Sequence, residues 1–360
     1  MVRALSIGLL GVLLAGSMSA CEPPPTRIEP VISGLDFPAA FTVDPNNVSI
    51  WYAERNTGEI RRRNLLTGSD VLAWTVPNVV TTGEQGLLGL TLHPQYASTP
   101  QLFAYAVRNV GGVIRNQVVR VNLDPNNGFR GVSQAVVYDQ VGGATHHVGG
   151  RLLAGPDGNI WFTIGDNTVP ANSQNLSTAK GKIMRMTPGG AVPSGNPFGN
   201  RVFASGIRNS FGFDFDPANG RLWATDNGPT CNDEVNRVPT GANLAWGPSA
   251  TCATPPAAPQ NTNQDGANRV LPQRFYADSD GVTAAAFCDD CGIDGIDGRL
   301  LVGVVGSGNI RVLGLNGDRT GVSSDQLLID HSQGILSMET RPGQPVYFST
   351  LTGIFRLVPA

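Results

Sequence analysis

One short unit recurs along this chain and limits the fold more than any other feature. It consists of a glycine or proline, a run of apolar and β-branched residues, a polar loop, and a second strand that returns. It occurs at Gly158 to Gly165, Gly220 to Asp226, Gly298 to Gly303 and Pro345 to Thr350. The returning strands follow at Lys182 to Met186, Glu234 to Val238, Asn309 to Leu313 and Gly353 to Leu357. An earlier pair, Val48 to Glu54 and Gly58 to Arg62, has the same form around the turn Asn56-Thr57-Gly58. Strand pairs repeating about every 40–50 residues cannot each bury a face alone, so they stack into a radial array. The expectation is an all-β, six-bladed β-propeller with blades near 31–65, 86–123, 147–187, 205–240, 281–316 and 332–358. With 45 glycines, 26 prolines and only 15% charged residues, the chain is built for turns and strands and not for long helices. Two stretches break the period, Thr187 to Arg201 and Trp246 to Gln273. In a repeat fold such inserts cover an edge or border the binding face. No second domain is expected between residues 31 and 360.

The N-terminus reads as a targeting segment. Arg3 precedes an apolar run from Ala4 to Ala15 that is too short to span a bilayer. Met18-Ser19-Ala20-Cys21 then has the small-residue pattern of a lipoprotein cleavage site. Residues 1–20 are therefore expected to be a signal peptide, Cys21 the lipidated N-terminus, and 21–30 a Pro-rich tether. This implies an exported lipoprotein anchored to the membrane of the cell envelope, facing the periplasm or the exterior. A net charge of -3 without a basic patch argues against nucleic acid as a partner. The other four cysteines, an even number in an exported chain, suggest disulfides. Proximity pairs Cys231 with Cys252 and Cys288 with Cys291. A zinc site would need more ligands than lie near Cys288 and Cys291, and their Asp/Gly-rich setting is not a redox helix start.

The chemistry concentrates at Thr145-His146-His147-Val148-Gly149-Gly150-Arg151. A strand is expected from Arg151 to Ala154, a tight turn at Pro156-Asp157-Gly158-Asn159, and a second strand from Ile160 to Ile164 that ends at Gly165-Asp166. A His pair enters this hairpin and a carboxylate leaves it, so both can lie on one rim, a general-base arrangement. The same residues could instead cap backbone groups at a strand entrance.

Several ordered motifs resemble the soluble quinoprotein sugar dehydrogenases, the glucose/sorbosone dehydrogenase family. They are Gly83-Glu84-Gln85-Gly86-Leu87-Leu88-Gly89-Leu90 with His93-Pro94, the His146 to Asp166 stretch, Gly181-Lys182-Ile183-Met184-Arg185 with Asn196-Pro197-Phe198, Gly206-Ile207-Arg208-Asn209, and Asp226-Asn227-Gly228-Pro229 with Asp233-Glu234-Val235-Asn236 and Gly241 to Gly247. The resemblance implies a six-bladed propeller that binds pyrroloquinoline quinone (PQQ) and oxidises the anomeric hydroxyl of an aldose. An external acceptor would then take the electrons. It implies His147 as the base, Asp166 as the acid that holds it, and Arg208 and Asn209 as the pair polarising the quinone oxygens. Glu84 falls where characterised members carry an active-site Gln. Ca²⁺ is implied at the Gly228 and Pro229 carbonyls, and a structural Ca²⁺ at Asp233 and Glu234.

The chain departs from glucose-oxidising members in blades five and six. Those members bind the cofactor carboxylates with a Lys and an Arg-x-Arg pair. Here Val304 to Asn309 and Ser332 to Met338 hold no cation. Arg311 and Arg341 lie nearby in sequence without an assigned place. The departure keeps open a non-catalytic, calcium-stabilised propeller that binds glycans or proteins. A propeller lactonase, in which Ca²⁺ polarises a carbonyl, is a third reading.

Overall fold

The computed structural model describes residues 24–360, so the signal segment and Cys21 lie outside the described residues. The chain opens with β1 (Thr26–Ser33) and then builds blades in order. Blade one is β2 (Pro38–Val43), β3 (Ser49–Glu54), β4 (Glu59–Asn64) and β5 (Asp70–Thr75). Blade two is β6 (Leu87–Leu92), β7 (Gln101–Val110), β8 (Val113–Asp124) and β9 (Arg130–Val141). Blade three is β10 (Leu152–Ala154), β11 (Ile160–Ile164), β12 (Lys182–Met186) and β13 (Val202–Ser205). Blade four is β14 (Phe213–Phe215), β15 (Leu222–Asp226), β16 (Cys231–Val238) and β17 (Arg274–Asp278). Blade five is β18 (Val282–Phe287), β19 (Leu300–Val304), β20 (Asn309–Leu315) and β21 (Val322–Asp330). Blade six is β22 (Ser337–Glu339), β23 (Val346–Ser349) and β24 (Gly353–Pro359), with β1 paired antiparallel to β24 as its outer strand.

The ring is thus closed by joining the two ends of the chain, which leaves no open edge between first and last blade. Inner strands pack side by side around the channel: β2 on β6, β6 on β10, β14 on β18, β18 on β22 and β22 on β2. Apolar side chains fill layers between neighbouring blades, as where Trp51 and Ile60 of blade one meet Leu87, Leu90 and Ala104 of blade two. Trp51, Trp223, Tyr105 and Phe162 are fully buried in such layers. Each contributes on the order of 2–3 kcal/mol of burial free energy.

Six blades match the expectation, but their boundaries differ in two ways. Thr26 to Pro30, read from sequence as tether, are the first residues of β1. The blade windows also stop short of the outer strands β5, β9, β13, β17 and β21. All but the short, buried β13 are half exposed, so they lack the apolar run that marks inner strands. The insert at 187–201 joins β12 to β13, and that at 246–273 falls within the link from β16 to β17. Both disulfides are formed, Cys231–Cys252 fastening the second insert to β16 and Cys288–Cys291 closing a short loop after β18.

Candidate active site

The loop between β9 and β10 carries His147 to one mouth of the channel. Its backbone is held from several sides. The His147 N–H donates to Glu84 Oε2 (2.8 Å), its carbonyl accepts from Asn167 N (3.1 Å), and the next carbonyl, of Val148, accepts from the Tyr105 hydroxyl (2.8 Å). His147 adopts a positive φ of 54°, a conformation that L-residues adopt infrequently. Gly165 allows this close approach, because a Cβ there would collide with the His147 carbonyl.

From this loop the imidazole Nδ1 reaches Asp166 Oδ1 at 2.7 Å. Asp166 is fully buried, and three donors satisfy it: His147 Nδ1, the Thr168 N–H (2.7 Å) and Trp246 Nε1 (2.8 Å). A carboxylate facing Nδ1 fixes the neutral ring as the Nδ1–H tautomer. The basic nitrogen is then Nε2, on a side chain that keeps 16% of its exposure and lines the cavity. His146 also lines the cavity, but its Nδ1 only meets the neighbouring Thr145 hydroxyl (3.0 Å).

Blade four supplies the facing wall. The buried Asp226 accepts the Arg208 N–H (2.8 Å) and the Asn209 N–H (2.7 Å), so one carboxylate mounts both residues. The Arg208 guanidinium donates to Asn227 O (3.1 Å) and lies 5.7 Å from the Trp246 ring centre. Asn209 Nδ2 donates to Glu84 Oε2 (2.9 Å). Glu84 therefore ties the His147 loop to the Arg208 loop, while its neighbour Gln85 is buried and bonds Ala144 O (2.8 Å).

These residues border a cavity of about 660 Å³. Glu84, His147, Arg208, Asn209, Gly228 and Pro229 all line it. So do Arg55 and Arg151, to which the sequence reading gave no role. Three guanidiniums thus face one lining carboxylate in a chain whose overall charge is -3. Among the described residues, none of the three is within ion-pair distance of a carboxylate. The donor set suits an anionic ligand with several oxygens. Arg311 and Arg341 are elsewhere, paired with Asp325 (2.6 Å) and Glu339 (3.0 Å).

The calcium assignments fare unequally. Gly228 and Pro229 reach the cavity, and the donor nearest the Gly228 carbonyl, the Ser279 hydroxyl at 3.2 Å, directs its one proton to Asp233 Oδ1 at 2.8 Å, which leaves the carbonyl open to a hard cation. Asp233 does not fit as a ligand. Its Oδ1 accepts Gly228 N (2.8 Å) and Ser279 Oγ (2.8 Å), and its Oδ2 accepts Asp280 N (2.8 Å) and Gly281 N (2.7 Å). All four acceptor directions are filled. Glu234 follows it on β16 and so projects from the opposite face, beside Asp226. Burial raises the pKa of Glu234, and the Asp226 charge raises it further. The two acids thus leave β16 on opposite faces, and among the described residues no three His, Cys, Asp or Glu side chains form a metal-holding group.

The profile of the Glucose / Sorbosone dehydrogenase family matches residues 35–354. The chain belongs to this family. It is 27% identical over 359 residues to the aldose sugar dehydrogenase YliI of Escherichia coli, covering 96% of this chain and 95% of that protein. It is 30% identical over 248 residues to quinoprotein glucose dehydrogenase B of Acinetobacter calcoaceticus, covering 60% of this chain and 51% of that one. The PQQ-bound form of the aldose sugar dehydrogenase from Streptomyces coelicolor superposes with a TM-score of 0.80 at 24% identity, over 94% of this chain and 99% of that one, a likeness of fold.

Proposed function

We propose that this family member is a PQQ- and calcium-dependent dehydrogenase that oxidises aldoses at the anomeric hydroxyl. The observation that carries the proposal is the His147–Asp166 pair opening onto a cavity with three unpaired guanidiniums. The relatives' activities, aldose sugar dehydrogenase and quinoprotein glucose dehydrogenase, support the substrate and cofactor class. PQQ, which carries three carboxylates, suits this excess of positive charge and, when bound, supplies a two-electron hydride acceptor.

His147 Nε2 takes the proton from the anomeric hydroxyl. Asp166 holds the ring in the required tautomer and stabilises the imidazolium that forms. Trp246 and the Thr168 N–H keep Asp166 oriented. Loss of that proton and of the C1 hydride converts the sugar to its lactone. Arg208 and Asn209, mounted on Asp226, would stabilise negative charge on a quinone held in the cavity. Glu84 braces both walls. The Gly228 and Pro229 carbonyls would hold Ca²⁺ at the cavity edge. An external acceptor would reoxidise the site, and lipidation at Cys21 would hold the enzyme on the cell envelope.

The non-catalytic binding propeller was motivated by the missing cations of blades five and six. Arg55 and Arg151 line the same cavity, which weakens that motive. The test is dye-linked aldose oxidation with added PQQ and Ca²⁺. His147→Ala is expected to lower turnover at least about a hundredfold while thermal unfolding falls by no more than a few degrees. Unchanged turnover would end the assignment of the base.

A further inference from the structure

Arg151 presents an unusual account. It precedes β10 in blade three, yet its guanidinium crosses the channel. Nε donates to Phe211 O (2.6 Å) ahead of blade four, one terminal nitrogen to Leu336 O (2.8 Å) and the other to Ser337 Oγ (2.6 Å) in blade six. A fourth contact, to Thr283 O of blade five, is long at 3.4 Å. All these hydrogen-bond partners are neutral, and Glu339, whose charge acts on this buried guanidinium from beyond ion-pair distance, is itself paired with Arg341 (3.0 Å). Burying a guanidinium without a paired counter-charge is costly, and a cavity-bound anion would relieve the cost. Ser332 to Met338 holds no cation of its own, but blade three delivers one to it.

Arg55 lines the same cavity. It follows β3 and lies on the Phe37 ring, 4.8 Å from its centre. Its terminal nitrogens donate to Asn56 Oδ1 (3.1 Å) and to the Gly83 carbonyl. Both acceptors are neutral, the Glu84 and Asp36 carboxylates act on it only from beyond ion-pair distance, and the planar fork is held at the cavity with hydrogens to spare.

We propose that Arg55 and Arg151 are the anchors for the cofactor carboxylates, taking the place of the basic residues absent from blades five and six. The proposal rests on the quinone reading of the site. It ties cofactor affinity to two residues that lie 96 positions apart in the chain.

The test is a direct titration of the protein with PQQ in excess Ca²⁺, followed by the change in quinone absorbance and independent of turnover. Thermal unfolding of every variant is recorded alongside. Arg55→Gln is expected to weaken binding about tenfold or more, and Arg151→Gln about ten- to a hundredfold. Arg151→Lys, which keeps the charge but loses the fork, should recover part of the loss. PQQ trimethyl ester, lacking the charges, should bind wild type and Arg55→Gln equally. Wild-type affinity in Arg55→Gln and in Arg151→Gln, with intact folding, would overturn the anchors while leaving the quinone reading in place. Should Arg151→Gln fail to fold, Arg55→Gln and the ester comparison still decide. No PQQ binding by wild type at tens of micromolar would overturn the quinone reading itself and the anchors with it.

Discussion

Trp246→Phe tests whether the site depends on the orientation of Asp166. The substitution keeps an aromatic ring beside Arg208 and removes one N–H. That N–H donates to Asp166 Oδ2 at 2.8 Å, and Asp166 is fully buried. Oδ1 keeps His147 Nδ1 and the Thr168 N–H, while Oδ2, which among the described residues accepts only from Trp246, is left without a donor and without access to water. A hydrogen bond to a buried charge is worth about 1.5–3 kcal/mol, which corresponds to roughly a 10- to 150-fold effect if it is felt at the transition state. The carboxylate would be free to rotate, and the His147 tautomer would no longer be fixed by geometry alone. The expected result is a fall in kcat of about ten- to a hundredfold, with KM for the sugar nearly unchanged, measured with a dye acceptor at saturating PQQ and Ca²⁺. Thermal unfolding should fall by only a few degrees, since the ring remains packed. A kcat within twofold of wild type would refute the role assigned to the Trp246–Asp166 contact.

Two further perturbations separate structural groups from ligand groups. Asp233→Ala strands the Gly228, Asp280 and Gly281 N–H groups and should destabilise the fold by about 3–5 kcal/mol. The loss should be the same with Ca²⁺ or with chelator; a loss seen only with Ca²⁺ would restore Asp233 as a metal ligand. Lys182 is fully buried, with Nζ donating to Asn172 O (2.6 Å), Lys180 O (2.8 Å) and Ser173 O (3.0 Å). Burial pushes its pKa from 10.5 down to about 7. Between those values the unfolded chain holds a proton that the folded chain releases, so Lys182 makes stability rise with pH across that window. Lys182→Met should lose this slope in unfolding measured from pH 7 to 10, and parallel profiles for the two proteins would contradict it.

The inner strands and the hairpin chemistry were legible because their signals are local. Ile160 to Ile164 is a mostly apolar strand and Lys182 to Met186 its return strand, and both are observed with those bounds. His147 and Asp166 are joined by one hairpin, so their meeting follows from strand geometry. β1 was not legible, because Thr26 pairs with Pro359 and nothing near Thr26 signals that partner. The outer strands were missed for another reason: partly exposed on the rim, they carry polar residues such as Asp325 that pair with neighbouring arginines. Trp246 was visible as part of a motif, but its hydrogen bond to Asp166 spans 80 positions and the insert that holds it has no repeat pattern.

The basic residues of the cavity show why a blade-by-blade search for function fails in a propeller. Position in the sequence assigns a residue to a blade, but the channel is narrow enough for a long side chain to cross it. Arg151 belongs to blade three by sequence and to blades four and six by contact, with partners up to 186 positions away. The converse holds for Arg311 and Arg341, which belong to the expected blades yet are held by Asp325 and Glu339 away from the cavity. A cation can therefore be lost from one blade and supplied by another while the charge facing the ligand is retained. The constraint acts on the summed field at the cavity, where three guanidiniums face one carboxylate, and not on any single strand. In this fold the absence of a basic residue from a motif is thus weak grounds for inferring that an anionic cofactor has been lost.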